Sequence, residues 1–95
     1  MPLKVLSTPS FDRVVKKLHA RDRTAVDQAV MEIVANPAIG SEKKGDLAGV
    51  LVTPFKLNKQ EILLAYRLNP DKTKPQEIIL LHLGTHENFY ATMKR

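Results

Sequence analysis

Apolar and polar positions recur in two different periods along this chain, and the change of period divides it. Residues 3–7, Leu-Lys-Val-Leu-Ser, alternate as a short strand. Thr8-Pro9-Ser10 then reads as a helix start, with Thr8 or Ser10 as N-cap and Pro9 where a missing N–H does little harm. Phe11, Val14, Val15 and Leu18 follow at i, i+3, i+4 and i+7, an apolar stripe opposite Asp12, Arg13, Lys16 and Lys17. A second stripe of Val26, Ala29, Val30, Ile33 and Val34 comes after the turn His19-Ala20-Arg21-Asp22, with Asp22 as the expected N-cap. Asn36-Pro37 ends it, because a residue before proline is pushed out of the α region. Two helices joined by so short a turn should form an antiparallel hairpin.

Beyond a loop over Ala38–Gly49 the period drops to two. Val50–Leu57, Glu61–Leu68 and Gln76–Leu83 read as strands, the first two joined by the hairpin-length Asn58-Lys59-Gln60. The last two are apolar on both alternating sets: Ile62, Leu64 and Tyr66 against Leu63 and Ala65, then Ile78 and Leu80 against Ile79, Leu81 and Leu83. Strands of that kind are covered on both faces. The helix hairpin can cover one face, and a partner protein or the final segment the other. Glu87–Lys94 reads as a short C-terminal helix with Thr85 as a candidate N-cap. The order predicts one α+β domain over residues 1–95. It holds an N-terminal strand, a helix hairpin, a three-stranded antiparallel C-terminal meander and a short C-terminal helix.

Composition narrows the setting. The 95 residues suit a single domain, and the absence of cysteine removes disulfides and thiolate metal sites. The N-terminus lacks a long apolar run, and no segment approaches the ~20 apolar residues of a membrane span, so a cytoplasmic protein is expected. Fifteen Lys and Arg against ten Asp and Glu give a net charge of +5. That balance favours a polyanionic partner, nucleic acid or an acidic protein, although it also serves solubility.

Candidate chemistry concentrates at the end of the chain, Leu83-Gly-Thr-His-Glu-Asn-Phe-Tyr90. His86 titrates near neutrality and suits acid–base work; the plainer reading is a turn histidine without chemical role. Tyr90 lies four residues on, on the same face of the expected helix, and either stacks on a base, relays a proton or anchors the core. Arg67 shares a strand face with Leu63 and Ala65, where a permanent charge could grip a phosphate or simply meet solvent. Lys56 alternates onto the face of Val52 and Pro54. Lys43 and Lys44 beside Gly45, and Lys94 with Arg95, are candidate nucleic-acid backbone contacts or solvated charges. His82 falls with Ile78 and Leu80 and reads as a hydrogen-bonded core or rim histidine, while His19 is expected in solvent. Three scattered histidines in a chain without cysteine argue against a metal site, and no metal or cofactor is expected.

With these elements in place the sequence resembles the RelE/ParE superfamily, the toxins of bacterial type II toxin–antitoxin pairs. Phe11-Asp-Arg-Val-Val-Lys-Lys-Leu18 looks like its first helix, and Lys44-Gly-Asp-Leu-Ala-Gly49 like its loop before the second strand. Ile62-Leu-Leu-Ala-Tyr-Arg67 looks like its central strand. Leu83–Tyr90 looks like its terminal motif, with a Gly-Thr-His start similar to the YafQ-like branch. The resemblance implies a RelE/ParE-like toxin neutralised by a cognate antitoxin protein. RelE-, YafQ- and HigB-like members cleave messenger RNA in the ribosomal decoding site, whereas ParE-like members poison DNA gyrase; the shared fold does not choose. The expected function is a ribosome-dependent mRNA endonuclease with ribosome and mRNA as partners; the alternative is a non-enzymatic DNA gyrase inhibitor. His86 would be acid or base, Arg67 and Lys56 phosphate-stabilising charges, and Tyr90 a positioner. The sequence departs from the RelE type, which uses lysines and arginines rather than histidine and whose central-strand arginine aligns with Leu63. An antitoxin segment is expected on the sheet face that the helix hairpin leaves.

Overall fold

The computed structural model of the chain describes residues 3–42, 49–70 and 74–85. Strand β1 covers Lys4–Ser7 and helix α1 Pro9–Lys16. Thr8 is the N-cap: its backbone is extended, and its hydroxyl accepts a hydrogen bond from the Phe11 N–H, one of the donors that a helix start leaves unpaired. Helix α2 spans Ala20–Ala35 and buries Val26, Ala29 and Ile33. Its N-cap is His19, without a side-chain cap bond, rather than Asp22. Asp22 sits in the first turn, buried, and accepts a hydrogen bond from Asn58 Nδ2 at 3.1 Å. A partner distant in sequence has claimed the carboxylate expected to cap.

The remaining elements are strands: β2 Ser41–Glu42, β3 Leu51–Leu57, β4 Gln60–Asn69 and β5 Glu77–Thr85. They form one five-stranded sheet in the order β1-β5-β4-β3-β2, with β1 parallel to β5 and the other pairs antiparallel. β2 lies in a stretch expected to be loop; two residues are too few to show a period. The β3–β4 turn is the residue pair Asn58-Lys59, with φ of 52° and 68°, the left-handed pair that matches the twist of a two-residue hairpin.

Both helices pack on one sheet face. Phe11, Val26 and Ile33 meet Leu64, Tyr66 and Ile78 in the main core. Tyr66 is fully buried, and its hydroxyl donates to Pro37 O (2.7 Å) and accepts from Gly40 N–H (2.9 Å), tying the α2–β2 connection to the sheet. Gly40 has no room for a side chain, since a Cβ there would stand 2.8 Å from the Tyr66 hydroxyl. On the opposite face Val50, Val52, Leu63 and Ala65 form a second buried cluster, with Leu81 against it. These side chains are buried within the single chain, so their burial does not require the antitoxin segment expected over them. The large apolar side chains that are exposed lie elsewhere among the described residues: Val5 and Leu6 on β1, Met31 and Ile39.

One irregularity changes which residues face which way. Ala65 pairs with His82 but Tyr66 pairs with Leu80, so Leu81 is an extra residue in β5, a β-bulge. Past it, simple alternation fails. Leu83 joins Leu64 in the main core, and His82 lies opposite Ala65 on the second face, not with Ile78 and Leu80. The face expected for His82 is overturned, because strict two-residue alternation does not survive an inserted residue; its reading as a hydrogen-bonded core or rim histidine stands.

Candidate functional site

The second face can be built row by row from the register. Lys56 lies opposite Glu61; Pro54, Leu63 and Gly84 form the next row; Val52, Ala65 and His82 the third; Arg67 and Ile79 the fourth. The chain leaves β5 at Thr85, opposite Ile62 and one register position from the Lys56–Glu61 pair. Lys56 is exposed on the strand that the two-residue turn stiffens, directly across from a carboxylate. A cation thus stands at the end of the face where β5 runs out.

Arg67 is placed differently. It is exposed and shares the face with Lys56, but it lies six positions along β4 from Glu61, about 20 Å at the rise of a strand. The two cations assigned to one phosphate are therefore not brought together, because the sequence distance that looked modest runs along the strand axis. His86 and Tyr90, and the candidate backbone contacts Lys43, Lys44, Lys94 and Arg95, lie outside the described residues, as does the expected C-terminal helix. Gly84 and Thr85, past the expected strand end at Leu83, continue β5.

The structure brings to this face His82, which the sequence presented as a hydrogen-bonded core or rim histidine. His82 is buried, and its Nδ1 lies 3.2 Å from the Ser10 hydroxyl in the first turn of α1. Its ring lies over Gly84, with Nε2 3.5 Å from the point a Cβ there would occupy. Burial holds the imidazole below its ordinary titration range, so it is neutral at pH 7. Thr8 joins the same place: its N–H donates to Leu80 O (3.0 Å) and its hydroxyl to Leu81 O (2.8 Å). Thr8-Pro9-Ser10 carried only a helix-start signal, and nothing in spacing linked it to residues 80–82. Among the described residues no cluster of His, Asp and Glu is placed to hold a metal ion, and no helix is long and apolar enough to cross a membrane.

Comparison with known proteins is consistent with this architecture. A mutant of the E. coli toxin RelE in the free state superposes with a TM-score of 0.71 at 15% identity, covering 99% of this chain and 94% of that one. The toxin–antitoxin complex RelBE2 of Mycobacterium tuberculosis gives 0.69 at 20% identity, over 90% of this chain and 100% of the matched chain. The intact E. coli RelBE complex gives 0.66 at 14%, over 87% and 95%. No curated protein sequence matches. The family profile described as the ParE-like toxin of type II bacterial toxin–antitoxin systems matches residues 5–94. The chain belongs to this ParE-like toxin family.

Proposed function

We propose that this toxin acts in the cytoplasm as a ribosome-dependent mRNA endonuclease held in check by a cognate antitoxin. The supporting observation is the register that sets Lys56 one position from the end of β5, next in sequence to His86. Phosphodiester cleavage through the 2′-hydroxyl needs a base for that proton, an acid for the leaving 5′-oxygen and fixed positive charge at the phosphoryl oxygens. His86 supplies acid or base, Lys56 the charge, and Tyr90 a ring to stack on a base and orient the scissile bond. Lys43, Lys44, Lys94 and Arg95 add sequence-independent affinity for the RNA backbone. Arg67, distant along β4, serves at most as an outlying backbone contact. The titratable, basic and aromatic set of His86, Lys56 and Tyr90 favours this reading over gyrase poisoning, which the family's ParE-like description keeps as the alternative.

The test is brief induction in cells, with transcript 5′ ends mapped and supercoiling of a reporter plasmid followed in parallel. New 5′ ends within translated frames, with supercoiling unchanged, are expected. Intact transcripts with gyrase-linked DNA breaks would overturn the nuclease reading and establish the other.

A further inference from the structure

We infer that His82 is a positioning residue: with Ser10 and Thr8 it fixes the β5 bulge, and so the orientation in which β5 delivers the residues that follow Thr85. The inference rests on the nuclease reading for its catalytic consequence and on geometry for the rest. Three bonds run from Thr8 and Ser10 to three consecutive β5 residues, Leu80, Leu81 and His82. They meet β5 at the one place where its register against β4 shifts. A bulge re-aims the strand beyond it, and bulges recur next to active sites for that reason. Here the inserted Leu81 puts Gly84 opposite Leu63 on the second face, with the His82 ring laid over it. Were this sequence to pair with β4 without the bulge, every side chain from His82 onward would change face, and the strand would present its end the wrong way up. The hydroxyl of Ser10 and the ring of His82 thus make the side-chain to side-chain contact of a clamp, and Thr8, through its N–H and its hydroxyl, grips the β5 carbonyls.

The chemistry of the ring allows a specific test. An asparagine amide reproduces Nδ1 of histidine, which faces Ser10, whereas a glutamine amide reproduces Nε2. Cleavage of a labelled mRNA on programmed ribosomes is measured for the whole chain with Ser10→Ala, His82→Gln, His82→Asn and Ser10→Ala/His82→Gln. Amide hydrogen exchange at Leu83–Thr85 is followed on the same samples. Ser10→Ala and His82→Gln should each lower kcat by about 10²-fold, the effect of a small misplacement at a reacting centre, with KM little changed. His82→Asn should restore most of the rate. The double variant should be no worse than either single one, since the two groups act as a unit. Exchange at Leu83–Thr85 should quicken in the first two variants and not in His82→Asn. Ser10→Ala, which keeps helix propensity and removes only a hydroxyl, guards against a misfolded histidine variant. Wild-type rate and unchanged exchange in Ser10→Ala would overturn the inference. So would a fall in kcat without faster exchange, which would give the imidazole a direct chemical part. If the wild type cleaves nothing, the nuclease reading fails, and exchange alone still decides whether the clamp holds the strand end.

Discussion

Replacing Tyr66 with phenylalanine removes one oxygen and exposes how the α2–β2 connection is held. The ring stays, fully buried, so no cavity opens beyond the volume of a hydroxyl. Two backbone groups lose their partner: Pro37 O, which accepts from the hydroxyl at 2.7 Å, and Gly40 N–H, which donates to it at 2.9 Å. Leaving a buried polar group unsatisfied costs roughly 1–3 kcal/mol. Pro37 and Gly40 are only half-buried, so the lower bound applies to each, and about 2 kcal/mol is expected. That is a large share of the ~5–14 kcal/mol that a chain of this length should possess. Urea unfolding followed by far-UV circular dichroism measures it. With a slope of about 1 kcal/mol per molar urea, the midpoint should fall by about 2 M at unchanged slope. Gly40→Ala offers an internal check, because its Cβ would stand 2.8 Å from the hydroxyl and 2.9 Å from Cε1. In the Tyr66→Phe background the first of those clashes vanishes, so Gly40→Ala should cost less there than in the wild type. A loss below about 0.5 kcal/mol for Tyr66→Phe, with additive effects in the double variant, would refute this account of the connection.

Lys56→Ala should cut ribosome-dependent cleavage by tenfold or more, on the order of one fixed charge at the phosphoryl group, whereas Arg67→Ala should leave it within about threefold; equal losses in single-turnover rates would contradict the separation along β4. Acid should weaken the fold through His82. Its folded titration point is lowered by burial from 6.5, so the stability it contributes is full above that value and drains as pH falls through it toward the lowered point. His82→Gln should flatten that limb of a thermal-unfolding series between pH 7 and pH 5. Lys59→Gly should stabilise the chain by about 0.5 kcal/mol, raising Tm by about 2–4 °C in a thermal melt, because Lys59 holds φ at 68° where glycine carries no steric cost.

The elements were legible because their causes are local. Thr8-Pro9 announces a helix, Asn36-Pro37 closes one, and runs such as Ile62–Leu68 can only be strands buried on both faces. What could not be read was set by contacts distant in sequence. Asp22 looks like a cap until Asn58 arrives from the β3–β4 turn. His82 changes face because of one inserted residue, and an insertion leaves no trace in a strand where Leu80, Leu81 and Leu83 are equally apolar. β2 exists because Ser41 and Glu42 find Val52 and Leu51, not because two residues prefer to be extended. For the site the limit was of another kind. Alternation grouped Arg67 with Leu63 and Ala65 and Lys56 with Val52 and Pro54, but register and position along the axis decide which charges can meet one phosphate, and alternation carries no information about either.

The parallel pairing of β1 with β5 also sets a clock. The first strand and the start of the first helix find their partners only in the last described strand: Thr8 and Leu81 are 73 positions apart. At roughly 5–20 residues per second, a ribosome needs about 4–15 s to travel between them. During that interval β1 has no strand to join, and the Thr8 hydroxyl has no Leu81 carbonyl to receive its proton. A nascent chain cut short before β5 would leave β1 without its pairing strand and one edge of β4 unpaired, a species prone to stick and be degraded. The sheet that carries the proposed site is therefore assembled late in synthesis, and partial products of translation cannot present it.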